Sequence, residues 1–288
     1  MAGRIEALGK GVRGFRVGQR VVVAHHVPCK KCHYCLRGSV SMCREFKRTN
    51  LDPGGLAEYV RVSSRHVAHA MLPIPDGLGY AEASLCEPIA CCLRNLRRLK
   101  PREGDTAVVV GLGFIGLIMS QLLARLKAKV VGIEIDPARI RLAKRLGLPD
   151  VFPGWGENAH RAVLRLSEGR GADAAIFTAG QSCFVGRSFS WLRDGGAVNL
   201  FASFPLHDPF GRIDLNEVYH RELTILTGYS SEPQDLREAL RILSDGELDP
   251  SPYVRWTFPL SAFDAALRRF RARKILKAIF LPRKREGT

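Results

Sequence analysis

The sequence predicts an α/β protein: a doubly wound parallel sheet, preceded by a β-rich segment that carries a metal-binding loop. From residue 105 onward, short β-branched runs alternate with helical runs, the pattern of a parallel sheet covered by helices. The first of these junctions holds a G-x-G-x-x-G, with Gly111, Gly113 and Gly116. Before residue 70 the chain shows extended runs bounded by Gly and Pro, and a cluster of four cysteines.

Taken in order, GRIEALG, QRVVVAHH and LAEYVRVSS are expected as strands, with the cysteine loop between the second and third. A helix is expected over 80–99, ending before Pro101. DTAVVVG (105–111) reads as a buried strand, FIGLIMSQLLARLKA (114–128) as a helix and KVVGIEI (129–135) as a strand. Asp136 is placed to cap the next helix, with Pro137 at its first position. A helix near 157–168, a strand over 172–180, a helix over 182–193, and strands over 195–202 and 223–229 follow. A helix over 233–245, the helix SAFDAALRRFRA and a strand over 277–281 close the chain, which contains no internal repeat.

The 288 residues are 46% hydrophobic and 25% charged, ordinary values for a soluble protein. No apolar run reaches the ~18 residues of a membrane span, and MAGRIEALGKG has no apolar core of a secretory leader. A cytoplasmic location is therefore expected, with no membrane partner; reduced cysteine clusters there bind metal more often than they form disulfides. The net charge is +16, with 44 Lys+Arg against 28 Asp+Glu. The basic clusters at 94–102 and 268–285 interleave arginine with Leu, Phe and Ile at helical spacing. They read as solvated faces of amphipathic helices rather than as a nucleic-acid surface.

Cys29, Cys32, Cys35 and Cys43 follow a C-x₂-C-x₂-C-x₇-C spacing. Four thiolates suit a closed, tetrahedral, structural Zn²⁺ site. An iron–sulfur run of the C-x₂-C-x₂-C-x₃-C-P kind has a shorter last gap and a proline after the last cysteine; here Arg44 follows Cys43. Lys30, Lys31, Arg37 and Arg44 would offset the negative charge of the site, and His33 is expected outside the shell.

In the glycine turn, Gly111 allows the tight bend, Gly113 a close approach of backbone to a pyrophosphate, and Gly116 close packing of helix on strand. Phe114 and Ile115 open the helix, whose N-terminal N–H groups and dipole favour phosphate. Glu134 ends the next strand, 23 residues after Gly111. An acid there bonds ribose hydroxyls and repels a 2′-phosphate, so NAD is expected over NADP. Arg139 and Arg141 lie nearby and partly offset that preference.

These motifs together resemble the zinc-containing medium-chain dehydrogenases, and among them the polyol and threonine dehydrogenase types. GRIEALGKGVRGFRVGQRVVV is similar to the family's first strand pair, with Gln19 where Asp is usual; CKKCHYCLRGSVSMC is similar to its structural-zinc lobe; GGLAEYVRV, CEPIACCLRNL and GLGFIG match its G-G-x-A-E-Y, E-P-x-A and nucleotide-loop signatures. The resemblance implies a Rossmann sheet domain (87–232), a GroES-like β-barrel catalytic domain (1–86, zinc lobe 28–44), incomplete at its N-terminus, and a C-terminal segment (233–288) that returns to the catalytic domain. It implies hydride transfer between a secondary alcohol of a small polyol-like molecule and NAD, and a homo-oligomer, dimer or tetramer.

The resemblance also implies a catalytic zinc, expected only in a full-length form. The family's G-x-C-G-[ST]-D and G-H-E ligand motifs are not in the sequence, and of its ligands only Glu87, in CEPIA, is matched. Glu87 is read either as a zinc ligand and catalytic residue or as a helix-terminal acid stabilised by the dipole. The chain is expected to be N-terminally shortened and impaired; the alternative is a pseudoenzyme that binds dinucleotide. His25, His26, His66 and His69 are expected in loops or on the surface, and Cys86, Cys91, Cys92 and Cys183 as packing residues.

Overall fold

Strand β1 (Ala2–Arg4) pairs antiparallel with β2 (Arg20–Val23), Ala2 opposite Val22, and β2 pairs with β3 (Met71–Pro73). In this computed structural model, which describes residues 1–179 and 182–282, Val21, Val23, Leu51 and Met71 form the core beside that sheet. Arg20 fastens β2 to the chain beyond β3: its guanidinium donates to the carbonyls of Pro75 and Leu78 and lies 5.4 Å from the centroid of the Tyr80 ring.

The expected strand LAEYVRVSS does not form. Asp52 and Arg61 meet in an isolated antiparallel bridge only. Pro53 has no N–H to donate to a ladder, and Gly54 sits at φ 139, so the run opposite cannot continue as a strand. Ser63 then accepts the N–H of His66 and caps the helix Ser64–His69, a use of serine that competes with extended structure.

The helix expected over 80–99 is two helices, Tyr80–Ala83 and Cys86–Leu99. Pro88 explains the break: it lacks the N–H that would bond the Ser84 carbonyl, and its ring crowds that carbonyl. Proline is instead accommodated within the first turn of the second helix. That helix spans the boundary between two compact units, one made of Met1–Cys91 and the chain from Ser230 onward, the other of Cys92–Tyr229.

The second unit is built on six parallel strands: β4 (Thr106–Val110), β5 (Lys129–Ile133), β6 (Val151–Phe152), β7 (Ala172–Phe177), β8 (Leu192–Leu200) and β9 (Thr224–Thr227). Their order is β6-β5-β4-β7-β8-β9. The chain winds outward from β4 to one edge, then returns to β7 and winds to the other, which is the doubly wound order. Val108 stands opposite Val131 on one side and Ala175 on the other, and all of β4 is buried. The helices Phe114–Arg125, Pro137–Arg145, Glu157–Leu166 and Cys183–Phe189 follow β4, β5, β6 and β7 in turn. Asp136 Oδ1 accepts the N–H groups of Ala138 and Arg139, with Pro137 first in the helix, as expected.

Strand β8 begins at Leu192 rather than 195. Gly195 and Gly196 suggest a turn in the sequence, yet they lie inside the strand, beside a register shift against Ala172 and Ala174. Gly195 takes φ 72, and a Cβ on Gly196 would press on the Arg193 carbonyl oxygen at 2.8 Å, so glycine is what lets the strand pass. Two short elements were not foreseen in this unit: β6, and the helix Leu215–His220, capped by Asp214. Gly180, the expected end of β7, lies outside the described residues.

After Ser230 comes the helix Pro233–Ser244, with a capping box between Glu232 and Asp235. β10 (Thr257–Phe258) and β11 (Ile279–Phe280) pair parallel around the helix Phe263–Arg271. The last residues of the expected basic tail, 283–285, lie outside the described residues. No helix among the described residues is long and apolar enough to cross a membrane.

Candidate functional site

The cysteine segment folds as a knot of short elements: the helix His33–Leu36, a 3₁₀ turn Val40–Met42 and the helix Arg44–Arg48. Cys32 stands immediately before the first helix and Cys35 on it; Cys43 stands immediately before the last. The Sγ atoms of Cys29 and Cys35 are 3.9 Å apart, those of Cys32 and Cys35 3.6 Å, and all four lie within 4.8 Å of one another. A tetrahedron of sulfurs at a Zn–S distance of ~2.3 Å has edges of ~3.8 Å, so the donor set fits zinc. His33 is exposed and outside the group.

The thiols are unequally poised. The N–H of Lys31 holds Cys29 below the ordinary thiol value. Burial would raise Cys43, but the N–H groups of Cys29 and Phe46 outweigh it and bring it down to about 6. Burial and the neighbouring thiols push Cys35 up to about 12. Four thiolates so close together need a cation between them.

Glu87 lies in the first turn of its helix, and its Oε1 accepts the Cys91 thiol at 3.2 Å. His25 Nδ1 is 3.9 Å from the same oxygen. The Lys277 ammonium is nearby: burial lowers its pKa, and the Glu87 carboxylate opposes that shift. Burial likewise lowers His25, again against Glu87. Among the described residues, no third ligand atom converges with Glu87 and His25, and the four cysteines are the group that does converge. One carboxylate and one imidazole beside a half-buried ammonium do not make the three-ligand set of a catalytic zinc.

The histidines sort differently from expectation. His25 and His26 do not point apart as neighbours on a strand would: both follow β2 and their ring centroids are 4.2 Å apart, with His26 Nδ1 meeting the Thr49 carbonyl and His25 facing Glu87. His66 is not at the surface. It is 1% exposed, with Nδ1 2.8 Å from Ser63 Oγ and Nε2 3.0 Å from the His25 carbonyl. Cys86 and Cys92 are buried; Cys183 is exposed rather than packed in the sheet unit.

In the second unit the glycine turn connects β4 to the helix Phe114–Arg125. Gly111 takes φ 84, Leu112 is buried beneath the turn, and Gly113 is the N-cap. A Cβ on Gly116 would overlap the Gly111 carbonyl oxygen, whereas one on Gly113 meets only the Arg139 guanidinium, 3.5 Å away. The turn is thus tight on its inner side and open at Gly113, where Phe114 and Ile115 begin the helix. Glu134 is 5% exposed and points back under the turn. Its Oε2 accepts the N–H of Leu112 at 2.8 Å, and its Oε1 those of Ile135 and Asp136 at 2.8 and 3.0 Å. Arg139 Nη1 lies 3.7 Å from Glu134 Oε2. Sequence reasoning missed Thr178, just after β7, whose hydroxyl reaches the Gly111 carbonyl at 2.6 Å. A polar residue directly after the apolar run ADAAIF was the available signal.

The family model for the alcohol dehydrogenase GroES-like domain matches residues 1–76, and that for zinc-binding dehydrogenases matches residues 115–245. The chain is 27% identical over 288 residues to a sorbitol dehydrogenase of Halalkalibacterium halodurans, covering 98% of this chain and 81% of that protein. It is 28% identical over 286 residues to an L-threonine 3-dehydrogenase of Bacillus subtilis, covering 98% and 80%. Its fold is similar to that of a zinc-binding dehydrogenase of Sinorhizobium meliloti 1021 solved with NADP, at a TM-score of 0.84 and 24% identity, covering 98% and 82%. A four-thiolate lobe beside a small antiparallel sheet, a doubly wound sheet opened by a glycine turn, and both family models on one chain leave a single assignment: the protein belongs to the zinc-type medium-chain dehydrogenases, enzymes that act as oxidoreductases with a nicotinamide cofactor.

Proposed function

We propose that this protein transfers hydride between a secondary alcohol of the polyol or sugar-alcohol kind and NAD. The observation that carries the reading is the pairing of the open Gly113 edge with the acid Glu134 at the end of the next strand. The helix Phe114–Arg125 offers its N-terminal N–H groups to a pyrophosphate. Glu134 keeps negative charge where a 2′-phosphate would lie, which favours NAD over NADP, and Arg139 beside it tempers that preference. The names of the relatives, sorbitol and threonine dehydrogenases, support a small hydroxylated substrate.

Cys29, Cys32, Cys35 and Cys43 hold a structural zinc that fastens the lobe. Glu87 is the residue of this chain that would contribute to a second zinc, an ion that would supply polarisation of the alcohol oxygen, but the groups around it do not complete a ligand set for one. Within these 288 residues Glu87 instead shares its surroundings with His25, Cys91 and Lys277. The chain by itself is therefore expected to bind one zinc and dinucleotide and to oxidise alcohols poorly. That same observation favours a second reading, a dinucleotide-binding pseudoenzyme.

The protein works in the cytoplasm as a homo-oligomer. The outer strand β9 leaves Thr224, Ile225 and Thr227 exposed at the sheet edge, where a second copy can add its own strand. Elemental analysis, titration with NADH and NADPH, and oxidation of sorbitol and threonine test these assignments. One zinc per chain, tighter NADH than NADPH, and little turnover are expected. Two zincs or vigorous turnover would overturn the impaired reading, and a chain that binds neither dinucleotide would overturn the oxidoreductase itself.

A further inference from the structure

The peptide unit between Gly111 and Leu112 is held at both ends by side chains from the two strands that flank β4. Its carbonyl oxygen accepts the Thr178 hydroxyl at 2.6 Å. Its N–H, on Leu112, donates to Glu134 Oε2 at 2.8 Å. Thr178 follows β7 and Glu134 follows β5, which lie on opposite sides of β4. The Thr178 hydroxyl has one proton to give and also lies 3.0 Å from the Val110 carbonyl. That carbonyl already accepts the backbone N–H of Thr178 at 3.0 Å, so the shorter contact to Gly111 is where the proton belongs.

The turn needs such a hold for a reason internal to it. Gly111 adopts φ 84, and a glycine that reaches this conformation at no steric cost also reaches its alternatives. Rotation of the peptide plane after Gly111 would re-aim Gly113 and the N–H groups that begin the helix. Packing fixes the inner side, where a Cβ on Gly116 has no room against the Gly111 carbonyl, but packing alone does not choose the direction of that carbonyl. Glu134 is largely spent on holding backbone. Three of the roughly four lone-pair directions of a carboxylate are taken by the N–H groups of Leu112, Ile135 and Asp136. About one direction is left for a ribose hydroxyl.

We propose that Thr178 and Glu134 form a two-ended clamp on the Gly111–Leu112 peptide, and are positioning residues for the pyrophosphate-binding edge of the turn. The inference rests on the dinucleotide reading given above and assigns Thr178 a role in it. In this chain Glu134 sets the shape of the loop as well as reading the ribose.

Four variants test the clamp: Thr178→Val, which keeps the shape and removes the hydroxyl, Thr178→Ser, Glu134→Gln, and the double variant Thr178→Val/Glu134→Gln. Binding of ADP-ribose and of adenosine is measured by calorimetry, and amide hydrogen exchange is followed across Gly111–Gly116. Thr178→Val is expected to weaken ADP-ribose about tenfold, to leave adenosine within about twofold, and to speed exchange at Leu112; Thr178→Ser is expected to restore all three. The double variant is expected to lose clearly less than the product of the single losses, because both residues act on one peptide. Unchanged ADP-ribose affinity or unchanged Leu112 exchange in Thr178→Val, or a fully multiplicative double variant, would overturn the clamp. If the unaltered protein binds neither ADP-ribose nor NADH, the dinucleotide reading fails, and Leu112 exchange alone decides whether the clamp exists.

Discussion

The backbone N–H of Cys29 points at the sulfur of Cys43 across 3.5 Å, although the two residues are 14 apart in the chain. The lobe is therefore closed from its first cysteine to its last, and the bond lowers the cost of ionising Cys43. Replacing Cys43 with serine should remove that closure and one donor of the zinc set together. Zinc affinity is expected to fall at least about 100-fold, measured by competition with a chromogenic chelator. NADH binding should persist, since the glycine turn belongs to the other unit.

Gly116→Ala is expected to be among the most damaging single substitutions in the sheet unit. The added methyl would overlap the Gly111 carbonyl and press on Thr178 Oγ1 at 2.8 Å. Overpacking of this kind costs about 1–3 kcal/mol, read as a lowered urea midpoint, and dinucleotide binding should fall more than about tenfold. The neighbouring Gly113→Ala meets only the end of Arg139 and should leave the urea midpoint nearly unchanged.

Arg221 ties the far half of the sheet together. Its guanidinium donates to the carbonyls of Phe189 and Leu192 and to the carboxylates of Asp194 and Glu217; the Asp194 bond, with Glu217 behind it, raises its pKa. Arg221→Met removes these bonds and leaves part-buried carbonyls unpaired, a loss of about 2–3 kcal/mol. Two of the three tryptophans, Trp155 and Trp191, pack in that same core, so their fluorescence reports the earlier unfolding.

Ile225 is 42% exposed on the edge strand β9. Charged residues on an edge discourage strand pairing, so if the proposed homo-oligomer pairs through β9, Ile225→Lys should lower the mass seen in light scattering, without altering the zinc content. An oligomer of unchanged mass would move the interface elsewhere.

What could be read from the sequence was what is encoded over short distances. The four cysteines lie within fifteen residues of one another, and the glycine turn, its strand and its helix are contiguous. The Asp136–Pro137 cap is equally local and formed as expected. The features that escaped join distant positions. Thr178 meets Gly111 from 67 residues away, and His66 meets the His25 carbonyl from 41; periodicity carries no information about such pairs. LAEYVRVSS has the composition of a strand, but whether a run becomes one depends on a partner, and Pro53 and Gly54 deny it that partner. The break before Cys86 is encoded locally by Pro88, whose effect reaches back four residues, but the helical pattern of the run on both sides masks it.

The boundary inside the helix Cys86–Leu99 has a consequence for how the protein comes into being. The sheet unit is one uninterrupted stretch, Cys92–Tyr229, while its companion is assembled from both sides of that stretch. On the ribosome the sheet unit can close as soon as β9 emerges. The cysteine lobe, made much earlier, must wait for the segment after Ser230 before its own unit is whole. The four cysteines lie entirely within that early segment, so a metal ion held by them would cross-link it before the rest of its unit exists.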